Sequence, residues 1–410
     1  MPKPSHWISI GSLLGLTIGI TAGLYSESTP LTEFLFLSAE VFSRSWILVL
    51  LVLAIPLVAG NLIISFLTLL QASLFGKLAV RGLIVHILLL GSGAVVSVGL
   101  SYFLSRGLPS TAFASTTALH NTVSFRILSV MAETQQLLTR FIIPAILCSI
   151  VGAIILSRIG KGFRYPVIDR LTRAVKKLFN WLKILFQTLP LSVGCIAFVI
   201  TSQNGLQLAG TVGFYVAGVC AVLVVVTALM YVVVLLFGST PVRHFAHAML
   251  PSQLLAASTS SSLASLPALL VSTTKFTGEE KITGMAVPLF VSFFRINLMV
   301  ANPFSFFLLS RLYGLPVEWP NLLMFLGLMM ITSFGSPGLP QMGKVYSLPV
   351  FLAAGIPLEG VMVLKAVDAI PDVFKTVLNV TEIGTVTSVM LRGTATPAAT
   401  QSVTVESTRL

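Results

Sequence analysis

The sequence predicts an all-α protein that crosses a membrane several times and carries two re-entrant helical hairpins in inverted repeat. Of its 410 residues, 55% are hydrophobic and only 9% are charged, whereas a soluble domain carries about a quarter charged residues. Several apolar runs are long enough to span a bilayer. In the C-terminal half, two pairs of shorter apolar segments are each joined by a polar or Gly/Pro-rich centre.

Long apolar segments predict the spans of the N-terminal half. An uncleaved first helix is expected at 8–24, and residues 25–44, with three Glu, are expected to form an outer loop. Residues 106–138 are more polar and predict an outer loop with partial helix. The further predicted spans are 46–70, 82–104, 141–157 and two within the uncharged segment 184–242, broken at 203–205.

The net charge of +12 predicts membrane topology and gives no support for a nucleic-acid partner. The basic residues lie in short segments and not on the face of a soluble domain with interleaved aromatic residues, and they are densest in 158–183. The positive-inside rule places this stretch, and with it both termini, in the cytoplasm. The three cysteines and His86 lie inside apolar runs without metal-ligand spacing, so interior packing and hydrogen bonding are their expected roles.

Two interrupted hairpins dominate the C-terminal half. Residues 251–274 place the centre STSSSLASLPA between apolar arms, and residues 321–356 place SFGSPGLPQMG in the same way. Each precedes a longer predicted helix with buried ionic groups, 283–310 and 365–392. Inverted repeats with interrupted segments are typical of secondary transporters with a site at the membrane midplane, where exposed helix ends bind anions.

The predicted helix 365–392 has one ionic face. Five residues fall within an arc of about 80°: Asp368, Asp372, Lys375, Asn379 and Glu382. Such a face points into a bundle or a wet cavity when the helix spans the membrane. The alternative is a helix lying on the membrane surface, and both signs of charge on one face favour the interior position.

These motifs resemble the dicarboxylate/amino acid:cation symporter family, also called the glutamate transporter family. The two hairpin tips match that family's re-entrant tips, DAIPDVFKTVLNV resembles its eighth helix, and LPLSVGCIAFVI resembles part of its fifth. The resemblance implies eight spans plus two re-entrant hairpins, a homotrimer and elevator-type alternating access. It also implies a scaffold mainly within 1–140, mixed helices in 141–250, a transport core in 251–392 and, by composition, a disordered cytoplasmic tail at 393–410.

The resemblance also implies a substrate site. Asp372 matches the acceptor for a substrate α-amino group, and Asn379 matches a residue near the substrate carboxylate and one cation. Lys375 stands where acidic-amino-acid members carry Arg, and it supplies charge without a bidentate fork. The implied substrate-binding residues are Ser260, Ser261, Ser262, Gly335, Gly338, Pro340, Asp372, Lys375, Thr376 and Asn379.

The sequence departs from the family at its sodium motif in the seventh helix, which is FRINL here. Two expected oxygen ligands become Phe294 and Ile296, and hydrocarbon cannot bind a hard cation. At least one sodium site is therefore expected to be lost, and no metal site is certain. Arg295 as a fixed cation, or Glu382 and Asp368 as proton carriers, could replace it, with Asn379 also near a coupling ion. The alternative is that Arg295 pairs with a carboxylate or extends to the interface.

The predicted function is a secondary active symporter of an anionic amino acid or C4-dicarboxylate in a cell inner membrane, coupled to sodium or protons and without a cofactor. A sodium-independent exchanger or uniporter, and a degenerate sensor or anion channel, remain alternatives. An intramembrane hydrolase is disfavoured because the chain has no GxSxG or HExxH motif, so no enzyme activity is predicted.

Overall fold

The structure is a computed structural model, and it describes residues 4–25, 30–72, 77–107, 122–204, 207–336 and 342–392. The predicted disordered tail at 393–410 lies outside the described residues. Within these ranges the regular structure is entirely helical. The fifteen helices of the described part are α1 (Pro4–Leu24), α2 (Pro30–Ala72), α3 (Lys77–Ser105), α4 (Thr122–Arg158), α5 (Lys161–Gln187), α6 (Leu189–Asn204), α7 (Gln207–Phe237), α8 (Val242–Thr259), α9 (Leu266–Thr277), α10 (Glu280–Phe293), α11 (Ile296–Leu312), α12 (Trp319–Gly335), α13 (Met342–Ala353), α14 (Leu358–Ala366) and α15 (Ala369–Met390).

Several of these helices have the length and apolar composition of membrane spans. In the described part of the chain there are five, lying in α2, α3, α4, α7 and the α10–α11 pair. A sixth is added when α5 and α6, which meet at a 53° bend, are taken as one span. The segments Ile10–Leu24 and Trp319–Gly335 are apolar but shorter.

The predicted outer loop at 25–44 is wrong over most of its length, because α2 begins at Pro30. No Gly or Pro interrupts the chain between Pro30 and Pro56, so nothing in this stretch stops a helix. Glu40 is buried but is neutralised one turn later by Arg44, 3.0 Å away. The acidic residues therefore do not mark a loop. The partial helix expected within 106–138 is confirmed as the first part of α4.

The two predicted hairpins are confirmed as helix pairs. Helices α8 and α9 pack against each other on either side of the turn 260–265, and α12 and α13 form the second pair. Ser260 ends α8 in the left-handed region with φ 47°, which is uncommon for a residue other than Gly. The first tip thus turns abruptly after the last turn of α8.

The helix that follows each hairpin is broken, which corrects the continuous helices expected at 283–310 and 365–392. Between α10 and α11 the backbone is extended at Phe294, and the Arg295 side chain donates to Val291 O at 2.7 Å, taking the carbonyl that its own N–H would bond in a helix. Between α14 and α15, Pro371 has no N–H to give to Val367 O, so α15 begins at Ala369 with Asp368 as its N-cap.

The helices pack in two groups. In the first group α1 lies on α6, while α2 packs against α4, α5 and α6. In the second group α3 and α7 pack against α11 and α15, and the first hairpin packs on α15. The second hairpin, α12 and α13, contacts α2 and so lies where the two groups meet.

The contact of α1 with α6 depends on small residues. Glycines recur every fourth position at 11, 15, 19 and 23, which places them on one helical face. A Cβ added at Gly15 would lie 2.2 Å from Pro190 O, and one at Gly19 would lie 2.3 Å from Gly194 O. Backbones this close exclude any larger side chain, as in the small-residue interfaces of membrane helices.

Candidate substrate site

A small polar cavity lies where the first hairpin tip, the two helix breaks and the second hairpin come together. Its volume is about 60 Å³, room for about two water molecules. The described residues that line it are Ser260, Ser262, Arg295, Asn297, Leu298, Ala301, Asn302, Ser336, Gly343, Lys344, Lys365, Asp368, Asp372, Lys375, Thr376 and Asn379. Ligand sites are usually larger, about 300–1,000 Å³, so a substrate requires the walls to move apart.

Asp368 is the centre of the charged cluster. Its side chain is only 1% exposed, and its Oδ2 lies 2.7 Å from Lys375 Nζ and 3.6 Å from Lys365 Nζ. The Tyr215 hydroxyl on α7 donates to Asp368 Oδ1 at 2.7 Å. The break before α15 thus points one carboxylate at two ammonium groups and a phenol, all of which favour its ionised form.

The lysines around Asp368 come from three helices. Lys375 also donates to Asp372 Oδ1 at 3.1 Å, one turn earlier on α15. Lys365, at the end of α14, donates to Asn302 Oδ1 on α11 at 2.9 Å. Lys344, in the second hairpin, is buried at the cavity wall with 8% exposure. Three buried ammonium groups therefore converge on the same cavity.

Arg295 is the fourth cation of the cavity. It is 3% exposed, and besides Val291 O its guanidinium donates to Ser336 O at 3.3 Å. The side chain thus links the break between α10 and α11 to the start of the second hairpin tip. Neither acceptor is charged, so these contacts leave the guanidinium charge to be balanced by Glu382 or by a ligand.

Glu382 lies behind Arg295 in a fully buried contact with His86. Glu382 Oε1 is 2.5 Å from His86 Nδ1, and Oε2 accepts from Ile296 N at 3.3 Å. The His86 ring stacks on Phe294, with centroids 3.8 Å apart and planes at 5°. His86 Nε2 is buried without a hydrogen-bond partner among the described residues. The expectation that His86 is a hydrogen-bonded interior residue is confirmed, and its partner is a carboxylate.

Asn379 and Thr376 are held in place by backbone contacts. Asn379 Oδ1 accepts from Asn297 N at 3.1 Å, which caps the first turn of α11 from across the cavity. Thr376 Oγ1 donates to Asp372 O at 2.7 Å within α15. Both side chains line the cavity, so two uncharged polar groups accompany the charged ones.

The structure brings most of the residues predicted from the sequence to one place, although their roles stay predictions. The residues found at the cavity wall are Ser260, Ser262, Arg295, Asp368, Asp372, Lys375, Thr376 and Asn379. Glu382 lies behind this wall. Ser261 accepts from Ser265 Oγ inside the tip, and Gly335 packs on Leu62 of α2. Gly338 and Pro340 lie outside the described residues.

Sequence reasoning missed five polar lining residues, Asn297, Asn302, Ser336, Lys344 and Lys365, besides the apolar or small Leu298, Ala301 and Gly343. The two lysines carried a usable signal, because a Lys within an apolar membrane segment normally faces an interior partner or a cavity. The others are neutral and have no distinguishing pattern. Across the described residues, no group of three His, Cys, Asp or Glu side chains could hold a metal ion.

The fold and the cavity define a class of membrane transport proteins, in which paired hairpins and broken helices enclose a polar site. The family model for the sodium:dicarboxylate symporter family matches residues 5–392, so the chain belongs to that family. Its members are transporters and not enzymes.

Curated relatives are distant. The proton/sodium-glutamate symport protein of Bacillus caldotenax is 23% identical over 388 residues, 91% of this chain and 90% of the relative. The proton/glutamate-aspartate symporter of Escherichia coli K12 is 33% identical over 128 residues, 31% of this chain and 29% of the relative. The C4-dicarboxylate transport protein of Burkholderia orbicola is 26% identical over 260 residues, 61% of this chain and 58% of the relative.

Proposed function

We propose that this protein is a secondary active symporter of a small anion, either an acidic amino acid or a C4-dicarboxylate. The observation that carries the proposal is the buried cavity, whose wall holds Arg295 and three lysines against two aspartates. Burying unbalanced charge costs several kcal/mol, so an anion is the ligand that this wall favours. The printed activities of the relatives, glutamate, aspartate and C4-dicarboxylate transport, agree with an anionic substrate.

The same proposal assigns a mechanism and an assembly. The second group of helices, with the hairpins, moves as a transport body past a scaffold built mainly from the early helices, and the second hairpin acts as the gate. The spans are eight when α5–α6, α10–α11 and α14–α15 each count as one, with two re-entrant hairpins besides. We propose that the protein forms a homotrimer in a bacterial inner membrane, with both termini in the cytoplasm. Its chain is divided into scaffold helices at 1–140, mixed helices at 141–250 and the transport core at 251–392.

The contact between the second hairpin and α2 supports this mechanism. The Asn61 amide donates to Gly335 O, and a Cβ at Gly335 would meet Leu62 Cδ2 at 2.6 Å. One hydrogen bond and one close packing contact thus connect the gate to the proposed scaffold at this point. The hydrogen bond contributes about 1 kcal/mol, and further packing, such as the ring contact of Phe66 with Phe334, joins the gate to α2.

We further propose that coupling does not use the sodium site of the seventh helix. The family positions that supply oxygen ligands are Phe294, which stacks on His86, and Ile296, which is fully buried. Arg295 lies between them with its charge facing the cavity. A fixed guanidinium in this place would repel a bound cation and would supply positive charge of its own.

A proton is the coupling ion that fits the remaining geometry. Among the described residues, Glu382 has two ionisable neighbours, His86 from α3 and Arg295. The hydrogen-bonded His86–Glu382 pair is a carboxylate next to an imidazole, the two kinds of side chain that carry protons most readily in proteins. Asp368 is the weaker candidate, because two ammonium groups stabilise its charge. Protonation of the Glu382 pair would add one positive charge beside the cavity as an anion enters, which links the two binding events.

Uptake into proteoliposomes tests the function. Labelled aspartate, glutamate and succinate would each be offered with a sodium gradient or a proton gradient as the only driving force. Accumulation of at least one substrate on the proton gradient is expected. Accumulation that needs sodium would contradict the reassigned coupling, and the absence of any flux would contradict transport itself.

Glu382→Gln tests the proton carrier. The variant keeps the shape of the side chain and removes its titration, so proton-driven accumulation is expected to be lost while exchange of labelled for unlabelled substrate continues. Glu280→Gln, an exposed carboxylate in α10, is the matched control and should accumulate like wild type. Unchanged proton-driven accumulation in Glu382→Gln would remove this residue from the mechanism.

A sodium-independent exchanger is the second candidate. The fixed charge of Arg295 favours it, because this charge replaces that of a coupling cation and is not transported, so no ion gradient would drive the substrate. The two candidates differ in one measurement. An exchanger releases labelled substrate only when unlabelled substrate is supplied on the opposite side, whereas a symporter accumulates substrate in vesicles that contain none.

A further inference from the structure

Two of the three lysines that favour an anion at the cavity have as yet no individual role in the function proposed above. Lys365 is 3% exposed and Lys344 is 8% exposed. They come from different elements, since Lys365 ends α14 and Lys344 lies in the second hairpin. Interior lysines at membrane depth are costly and mark functional sites. Both side chains line the same cavity as Asp368 and Asp372.

The charges at the wall do not balance. Among the described residues of the wall, four cations, Arg295, Lys344, Lys365 and Lys375, face two carboxylates, which is an excess of two positive charges in that part of the site. Ionised Glu382 behind Arg295 offsets one of them. Buried charges persist when a partner compensates them. A ligand that carries one to two negative charges would supply this compensation.

The two carboxylates are also occupied. Asp372 accepts a hydrogen bond from Lys375 at 3.1 Å. Asp368 is within 2.7 Å of Lys375 and 3.6 Å of Lys365, and it accepts from the Tyr215 hydroxyl. An ammonium group on the substrate would meet carboxylates that already have cationic partners, and it would add a fifth positive charge. Like-charge contacts of this kind cost several kcal/mol.

We propose that Lys344 and Lys365 are built-in counter-cations of the substrate site, which select a doubly negative substrate without an amino group and make its binding independent of sodium. This rests on the proposed function and narrows it to a dicarboxylate. Lys344 in the second hairpin and Lys365 at the break between α14 and α15 supply positive charge that a bound metal ion would otherwise provide.

Binding to the purified full-length protein tests the proposal. Isothermal titration calorimetry with succinate and with aspartate would be performed in potassium buffer without sodium and repeated with sodium. Succinate is expected to bind in both buffers with the same Kd, and aspartate at least about 100-fold more weakly, from a like-charge cost of several kcal/mol.

Variants then assign the effect to the lysines. Lys365→Met and Lys344→Met keep most of the side-chain length and remove the charge, and each is expected to weaken succinate binding about 10- to 100-fold, the range for a lost charge-assisted hydrogen bond. Lys275→Met, an exposed lysine of α9, is the control and should bind like wild type. Unchanged succinate binding in both cavity variants would overturn the role of the lysines.

The wild-type measurement keeps the test decisive even when a variant fails to fold. Aspartate binding as tight as succinate binding, or succinate binding that appears only with sodium, would overturn this inference and leave the proposed transport function standing. The absence of binding for every dicarboxylate and acidic amino acid would overturn both.

Discussion

Asp368→Asn is expected to lower the free energy of unfolding by about 3–5 kcal/mol, the usual cost of removing one partner from a buried ion pair. The substitution keeps the volume of the side chain and an oxygen that can accept from Tyr215. It removes the one charge that lies 2.7 Å from Lys375 and 3.6 Å from Lys365. The excess of positive charge at the cavity wall would rise from two to three.

The magnitude can be measured by titrating the detergent-solubilised protein with sodium dodecyl sulfate and following its helix content. Asp169→Asn is the matched control, because Asp169 also pairs with a cation, Arg173, at 2.8 Å, but the two side chains are 67% and 69% exposed. Surface pairs contribute at most about 1 kcal/mol. If both variants lose the same small amount, Asp368 does not balance buried charge, and the charge count of the cavity is wrong.

Two further predictions concern packing and the gate. Gly15→Leu should separate α1 from α6 and lower the unfolding free energy by at least about 1–3 kcal/mol. Gly91→Leu is the control and should leave the unfolding free energy unchanged, because a Cβ added there meets nothing within 4 Å. Equal stabilities of the two variants would contradict the close crossing of α1 and α6. Asn61→Ala removes the hydrogen bond to Gly335 O. It should speed the thiol labelling of a Ser336→Cys reporter about fivefold, which corresponds to about 1 kcal/mol for the lost bond. An unchanged labelling rate would show that Asn61 does not hold the second hairpin.

The hairpins could be predicted from the sequence because their signal is local. Each consists of two apolar arms around a tip that cannot continue a helix, and the structure places the turn of the first hairpin at 260–265, within the predicted centre. The break at Asp368 also has a local signal, since Pro371 has no N–H to donate to Val367 O. The regular ionic face nevertheless predicts one continuous helix. The glutamates of 25–44 suggest a loop, but they do not prevent the helical start of α2, since Glu40 has its cation one turn away.

The charge balance of the site could not be predicted in this way. The contact of His86 with Glu382 joins residues 296 positions apart, and Lys365 meets Asn302 across 63 positions. No periodicity or spacing connects such pairs. A single Lys or His in an apolar segment indicates that an interior partner exists, but only the packing of α3, α11 and α14 around α15 identifies it.

The central claim is that the protein carries its own positive charge at the substrate site and couples an anion to protons without sodium. Internal pH tests this most directly. Proteoliposomes that contain a pH-sensitive dye and no sodium would receive external succinate while uptake of the labelled substrate is followed in parallel. The account predicts that the interior acidifies as succinate enters, and that Glu382→Gln abolishes the acidification. Succinate entry without acidification, or entry only after sodium is added, would contradict it.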